Sequence, residues 1–299
     1  MLAVGELPLF VTFGLIGLVV VGLGFKIAAV PLHFWAPDVY QGAPTPVAGF
    51  LSTASKAAGF AVIIRLFFVA FPEISSYWTV ILAALAAVTM TAGNLLALSQ
   101  TNIKRLLAYS SVAHAGYTLI GVVAYMPKSD VGNTWQLGPS SVVFYLAAYI
   151  ATNLLAFGVV MAFSRVAGLE DITDYAGLSR RNPLLGLMML AAFLSLAGMP
   201  PFGGFVAKVF VFAAGVQANY TWLVVVGILN SIIGVYYYLN VLKYVYLYRM
   251  PNEDEDNHPI PLTRPYTIAL VVLALGVILV GTVFAPWFSW SDAAALNLF

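Results

Sequence analysis

Apolar residues run along this chain in eight long blocks. They are approximately Pro8–Val30, Pro46–Ala70, Tyr77–Gln100, Leu106–Tyr125, Ser140–Ser164, Leu184–Val216, Thr221–Leu247 and Tyr266–Phe288. A helix needs about 20 such residues to cross the hydrocarbon core of a bilayer, and every block is long enough. The pattern predicts an all-α, polytopic transmembrane helical bundle of about eight spans, joined mostly by short loops. The longest joins are Arg165–Pro183 and Arg249–Pro265. The second carries the run Glu253-Asp254-Glu255-Asp256, which reads as a solvated loop.

Two blocks are broken by proline and glycine. The end of the first meets Pro31, Pro37, Pro44 and Pro46, and the sixth contains Gly198-Met199-Pro200-Pro201-Phe202-Gly203-Gly204 in its middle. Proline removes a backbone donor and clashes with the preceding turn. Inside a membrane the freed carbonyls must then be satisfied by protein or water. Paired broken helices of this kind point to an ion or substrate path at a repeat interface.

Polar positions sharpen that reading. Of 25 acidic and basic side chains, three lysines lie deep inside apolar blocks: Lys26, Lys56 and Lys208, with Arg65 a borderline fourth. A lysine at mid-membrane depth costs roughly 2.5–3.5 kcal/mol on insertion scales, and such residues mark ion or proton pathways. A low-dielectric surround disfavours an ammonium, so a lysine there can alternate between charged and neutral forms. Lys26 and Lys208 each lie beside a helix break. Lys56 follows Ser52 by one turn on the same helix face, where a hydroxyl could accept from the ammonium. In the fourth block Ser110, Ser111, His114, Tyr117 and Thr118 fall at helical spacing and form one polar stripe, expected to face protein or water. Histidine can accept on one ring nitrogen and donate from the other. No acidic residue lies within an apolar block; the nearest to one is Glu6, at the mouth of the first.

Composition narrows the function classes. Only 8% of the 299 residues are charged and 62% are hydrophobic, whereas a soluble domain carries about 25% charged residues. With no cysteine, the chain has no disulfide, iron–sulfur or thiolate metal ligand. His33, His114 and His258 are far apart, no glycine-rich nucleotide loop is present, and a net charge of +1 gives no reason to expect nucleic acid as a partner. No basic stretch precedes the first block, so no cleaved signal peptide is expected. Basic loop residues are one-sided. Lys104, Arg105, Arg165, Arg180, Arg181, Arg249 and Arg264 follow the third, fifth and seventh blocks, against Lys128 alone on the other side. The positive-inside rule places the first set in the cytoplasm and both termini on the opposite side of the cell inner (plasma) membrane.

The stretch from Gly24 through Pro31-Leu32-His33-Phe34-Trp35-Ala36-Pro37-Asp38-Val39-Tyr40-Gln41-Gly42-Ala43-Pro44-Thr45-Pro46 to Val47 resembles the antiporter-like subunits of NADH-quinone oxidoreductase, respiratory complex I, and is most like their N-type members. Asn102-Ile103-Lys104-Arg105-Leu106-Leu107-Ala108-Tyr109-Ser110-Ser111-Val112-Ala113-His114 and Ala197-Gly198-Met199-Pro200-Pro201-Phe202-Gly203-Gly204-Phe205-Val206-Ala207-Lys208 are similar to the same family, in family order. The resemblance implies a proton relay of Lys26, Lys56, His114 and Lys208, driven by quinone reduction in other subunits. It implies other membrane subunits as partners, with quinone, flavin and iron–sulfur clusters on those partners and no cofactor here. Members of that family have about fourteen spans built as repeats; this chain resembles the last eight, and the family's glutamate that pairs with the first lysine would lie upstream. Residues 1–71 would then end a first repeat, 72–248 would form a second, and 249–299 would hold the acidic loop and last helix. A subunit of an Mrp-type cation/proton antiporter, and a structural membrane subunit without its own channel, are the alternatives.

Overall fold

The computed structural model describes residues 8–126, 137–249 and 259–296. Among them the chain is helical, with a single isolated antiparallel bridge between Asn102 and Asp171. Glu6, Lys128, His258 and the acidic run at 253–256 lie outside the described residues.

The long helices are α1 (Leu9–Ile27), α3 (Thr45–Arg65), α4 (Ser75–Leu98), α5 (Ile103–Val123), α6 (Leu137–Ala167), α9 (Thr221–Tyr246) and α10 (Arg264–Thr282); a short helix, α2 (Trp35–Gly42), lies between α1 and α3. All seven are long and apolar enough to cross a membrane. The remaining predicted span, the sixth block, is a broken pair, α7 (Pro183–Ala197) and α8 (Gly203–Gln217). The last apolar block, expected as one span to Phe288, breaks at Val283, and a separate helix α11 (Phe284–Leu296) follows. Pro286 sits in the first turn of α11, where its missing N–H costs nothing.

Both breaks are built alike. At the end of α1, Ala28 is left-handed (φ 58°) and the Ala29 N–H reaches back to the Gly24 carbonyl at 2.8 Å. At the end of α7, Gly198 is left-handed (φ 84°) and the Met199 N–H reaches the Leu194 carbonyl at 2.9 Å. This is the Schellman closure, which satisfies the orphan carbonyls of a helix end. The remaining groups find side chains: the Trp35 indole donates to the Phe25 carbonyl at 3.0 Å, and Ser195 Oγ accepts from the Gly204 N–H at 3.1 Å. The freed backbone is satisfied by protein, as membrane depth demands.

α5 is the buried axis of the bundle, with 94% of its apolar window enclosed. Its start is fixed by Asn102, whose side chain accepts from the N–H groups of Lys104 and Arg105. α4 lies closely along it because both helices present glycine: a Cβ on Gly93 would meet the Ala113 nitrogen at 2.6 Å, and one on Gly116 would meet the Met90 nitrogen at 2.7 Å. Small residues admit this approach, which is how helices gain contact without a hydrophobic driving force.

One end of the bundle gathers the basic loops. Lys104 pairs with Glu170 at 2.5 Å and Arg105 with Asp38 at 2.6 Å; the Ile103 N–H donates to the Glu170 carbonyl and the Ile172 N–H to that of Thr101. The Gly177 N–H reaches the Tyr244 carbonyl at the end of α9, and Asn182 donates to the Ile260 carbonyl. The joins after α1, α4, α6 and α9 therefore share one face, as the alternation of loop charge requires.

Candidate functional site

α5 carries the polar stripe into the middle of the bundle. Ser110, Ser111, His114, Tyr117 and Thr118 are all buried. Thr118 is spent locally, donating to the His114 carbonyl at 2.8 Å. The others face three different neighbours.

Lys56, on α3, is 3% exposed, and its ammonium donates to the Ser111 carbonyl. The expected partnership with Ser52 is not made. Ser52 donates to its own helix at Gly49 (2.7 Å) and accepts from Asn153 on α6 at 2.6 Å. Back-bonding of this kind is the usual local competitor for a helical serine.

His114, 5% exposed, sits between two tyrosines: Nδ1 is 2.7 Å from the Tyr145 hydroxyl on α6, and Nε2 is 3.3 Å from the Tyr238 hydroxyl on α9. Tyr238 is also hydrogen-bonded to Ser110. Tyr149 lies against the imidazole, ring centres 5.0 Å apart. A small cavity of about 10 Å³ lies between His114, Tyr145, Tyr149, Thr152 and Ser195, near the size that admits one water. The ring has an oxygen partner on each nitrogen, so one tautomer can donate to one tyrosine and accept from the other. His114 lies within electrostatic reach of both Lys56 and Lys208.

Lys208, on α8, is 6% exposed and donates to the carbonyls of Ala197 (2.9 Å) and Leu196 (3.3 Å) across the break. Its ammonium stands 4.9 Å over the Tyr117 ring, a cation–π contact. The Tyr117 hydroxyl accepts from Asn94, and Asn94 Oδ1 accepts from the Tyr237 hydroxyl at 3.0 Å. Asn230 continues this cluster by donating to Thr91.

Lys56, His114 and Lys208 thus share one polar row threaded along α5. Lys26 does not join it. It is exposed on the outer face of α1, its stem passing over Gly59, and among the described residues it has no hydrogen bond or ion pair. The row also contains groups that sequence reading passed over: Tyr145, Tyr149 and Asn153 on α6, Tyr237 and Tyr238 on α9, and Asn94 on α4. Their signal was present. Tyr145, Tyr149 and Asn153 recur every four residues, a polar stripe in an otherwise apolar helix.

Near the charged end, Tyr40 on α2 is fully buried and its hydroxyl lies 3.4 Å from Ser111 Oγ. Burial pushes its pKa above the ordinary tyrosine value, against the hydrogen bond with Ser111, so Tyr40 remains a neutral hydroxyl. His33, in the loop after α1, is buried with no hydrogen-bond partner on either ring nitrogen. Burial lowers its pKa, and the nearby Pro31 carbonyl pulls the other way.

Residues 8–234 match the family described as NADH:quinone oxidoreductase/Mrp antiporter, TM. NADH-quinone oxidoreductase subunit N of Moorella thermoacetica is 44% identical over 281 residues, 94% of this chain and 56% of that protein. Among solved structures, a chain of respiratory complex I from Thermus thermophilus with bound aureothin is 36% identical with a TM-score of 0.74, covering 92% of this chain and 58% of its own. A chain of the Mrp complex from Dietzia sp. superposes with a TM-score of 0.85 at 23% identity, covering 99% of this chain and 61% of its own, a likeness of fold. The chain spans little more than half the length of these proteins. A multi-pass helical membrane protein with two like-built helix breaks, it belongs to the NADH:quinone oxidoreductase/Mrp antiporter transmembrane family.

Proposed function

We propose that this chain is a proton-translocating membrane subunit of an NADH-quinone oxidoreductase-type complex. The observation that supports it best is the buried row itself: two lysines held by backbone carbonyls and a histidine held between tyrosine hydroxyls, with no carboxylate paired to any of them among the described residues. Isolated cations at that depth are costly, and a purely structural helix would fill the same space with Leu or Met. In this reading Lys56 and Lys208 exchange between ammonium and amine, and His114 passes protons between them through Tyr238, Tyr145 and single waters. Lys26 serves a path completed by neighbouring protein on the exposed face of α1. Residues 1–71 end one antiporter-like repeat, 72–248 form the next, and 249–299 hold the acidic loop and last helix.

The driving chemistry lies elsewhere in this reading: flavin, iron–sulfur clusters and the quinone site belong to partner subunits, and the chain has no cysteine to ligate a cluster. The membrane is the cell inner membrane, with the Lys104–Glu170 face in the cytoplasm and both termini opposite. The test uses sealed native membranes holding the assembled complex. Acidification on adding NADH, abolished when the complex is blocked or this chain is deleted, supports the reading. Exchange of Na⁺ for H⁺ by the chain's complex with no electron donor present would overturn it in favour of an antiporter.

A further inference from the structure

The row along α5 needs an opening toward a membrane face. We propose that Tyr40 is the residue through which the row reaches the Asp38–Lys104 end of the bundle, and that Lys104 positions it by holding the end of α2. The inference rests on the proposed proton-translocating function.

Three observations carry it. First, Ser111 is a meeting point: its carbonyl accepts from Lys56, and its hydroxyl is 3.4 Å from the Tyr40 hydroxyl. Second, α2 has one buried face, with Ala36, Pro37 and Tyr40, and one exposed face, with Asp38, Val39 and Gln41. Asp38 has a 74% exposed side chain, while Tyr40, two residues on, is fully buried. Third, α2 is a short segment between two chain breaks, and α5 holds it by polar contacts. Lys104, itself buried, donates to the carbonyls of Gln41 and Ala43 (3.3 Å each) and pairs with Glu170; Arg105 donates to Asp38 at 2.6 Å and to the Gln41 side chain at 3.0 Å. A cation at the C-terminal carbonyls of a helix is electrostatically favoured, so Lys104 is placed to fix both the position and the tilt of α2.

The chemistry is a hydroxyl relay. Tyr40 takes a proton onto its oxygen from the Asp38 side as its own O–H proton passes to Ser111 Oγ and the Ser111 O–H proton passes on to the neutral amine of Lys56, which becomes the ammonium; both oxygens stay neutral and nothing else is consumed. Phenylalanine at position 40 preserves the packing against Phe157 and Trp35 but cannot relay. If Tyr40 only fills space, Tyr40→Phe is silent.

The experiment measures protons moved per electron by the assembled complex in sealed native membranes. This chain's share is the difference between wild type and a Lys56→Met variant. The expected result is that Tyr40→Phe removes that share by about tenfold or more, with the complex present at wild-type level. Ser111→Ala does the same, and the double variant loses nothing further. For Lys104, hydrogen exchange of amides 38–43 is followed alongside. Lys104→Met raises exchange and lowers the share, and Lys104→Arg restores both. Wild-type pumping in Tyr40→Phe and Ser111→Ala, with Lys56→Met impaired, overturns this route and leaves the proposed function standing. If Lys56→Met itself pumps normally, the function reading falls and this route with it. Should Tyr40→Phe not assemble, Ser111→Ala alone decides.

Discussion

Lys208 Nζ lies 2.9 Å from the Ala197 carbonyl, so the ammonium of α8 occupies the place where the backbone of α7 stops. The break and the lysine are one construction. The left-handed Gly198 frees the last carbonyls of α7, and a Cβ at that glycine would collide with the Lys208 stem at 2.8 Å. The lysine supplies the missing donor.

Replacing Lys208 by Met has two opposed effects on stability. The Leu196 and Ala197 carbonyls lose their donor, at about 1–3 kcal/mol, while the cost of burying an ammonium, several kcal/mol, disappears. The variant is therefore expected to assemble at least as well as wild type. Its share of proton movement should fall about tenfold or more. Complex content on native gels and pumping ratio check the two halves separately.

Tyr145→Phe and Tyr238→Phe each strip one hydroxyl from the His114 ring. Each leaves a buried nitrogen without its partner and should cost about 1–3 kcal/mol in thermal stability. Because both act through one imidazole, their effects on pumping should not add. A double-mutant cycle on the pumping ratio reads the coupling, and full additivity would mean that the tyrosines act independently of His114.

Gly204→Ala and Gly276→Ala should behave oppositely. A Cβ on Gly204 would sit 1.9 Å from the Ser195 carbonyl oxygen, whereas one on Gly276 meets nothing within 4 Å. The first should block assembly or shift the break. The second should be neutral or stabilising by roughly 0.5–1 kcal/mol, the helix cost of glycine relative to alanine. Melting temperatures of the purified complexes measure both.

His33 gives a pH dependence with a definite sign. Its folded pKa is lowered by burial, so the unfolded chain binds its proton first as pH falls. The stabilisation from the neutral ring is complete above the ordinary histidine value of about 6.5 and is lost as pH falls through and below it. Melting temperature should drop between about pH 7.5 and pH 5, and His33→Leu should flatten that part of the curve. An unchanged slope in the variant would assign the dependence to other groups.

Much of this was readable from the chain. Block length gave the spans, and Pro200-Pro201 between glycines gave the break at Gly198. The 3.6-residue spacing of Ser110, Ser111, His114 and Tyr117 marked the polar row on α5, a helix buried on nearly every side. What was not readable depends on which helix faces which. α1 is apolar on every side, so nothing in its pattern distinguishes the exposed Lys26 from the buried Lys56. Tyr238 reaches His114 from 124 residues away, a pairing that local periodicity does not encode. Ser52 was expected to serve Lys56, but a serine one turn back bonds its own helix as readily. The end of the last span at Val283 was hidden because hydrophobicity continues through it; only Pro286 signalled a new helix start.

The most direct measurement is the ratio of protons moved to electrons transferred in sealed native membranes carrying the double variant Lys56→Met, Lys208→Met. The account predicts a fully assembled complex that still transfers electrons but has lost this chain's share of proton movement. A wild-type ratio in that variant would contradict it and leave the buried lysines with a structural role only.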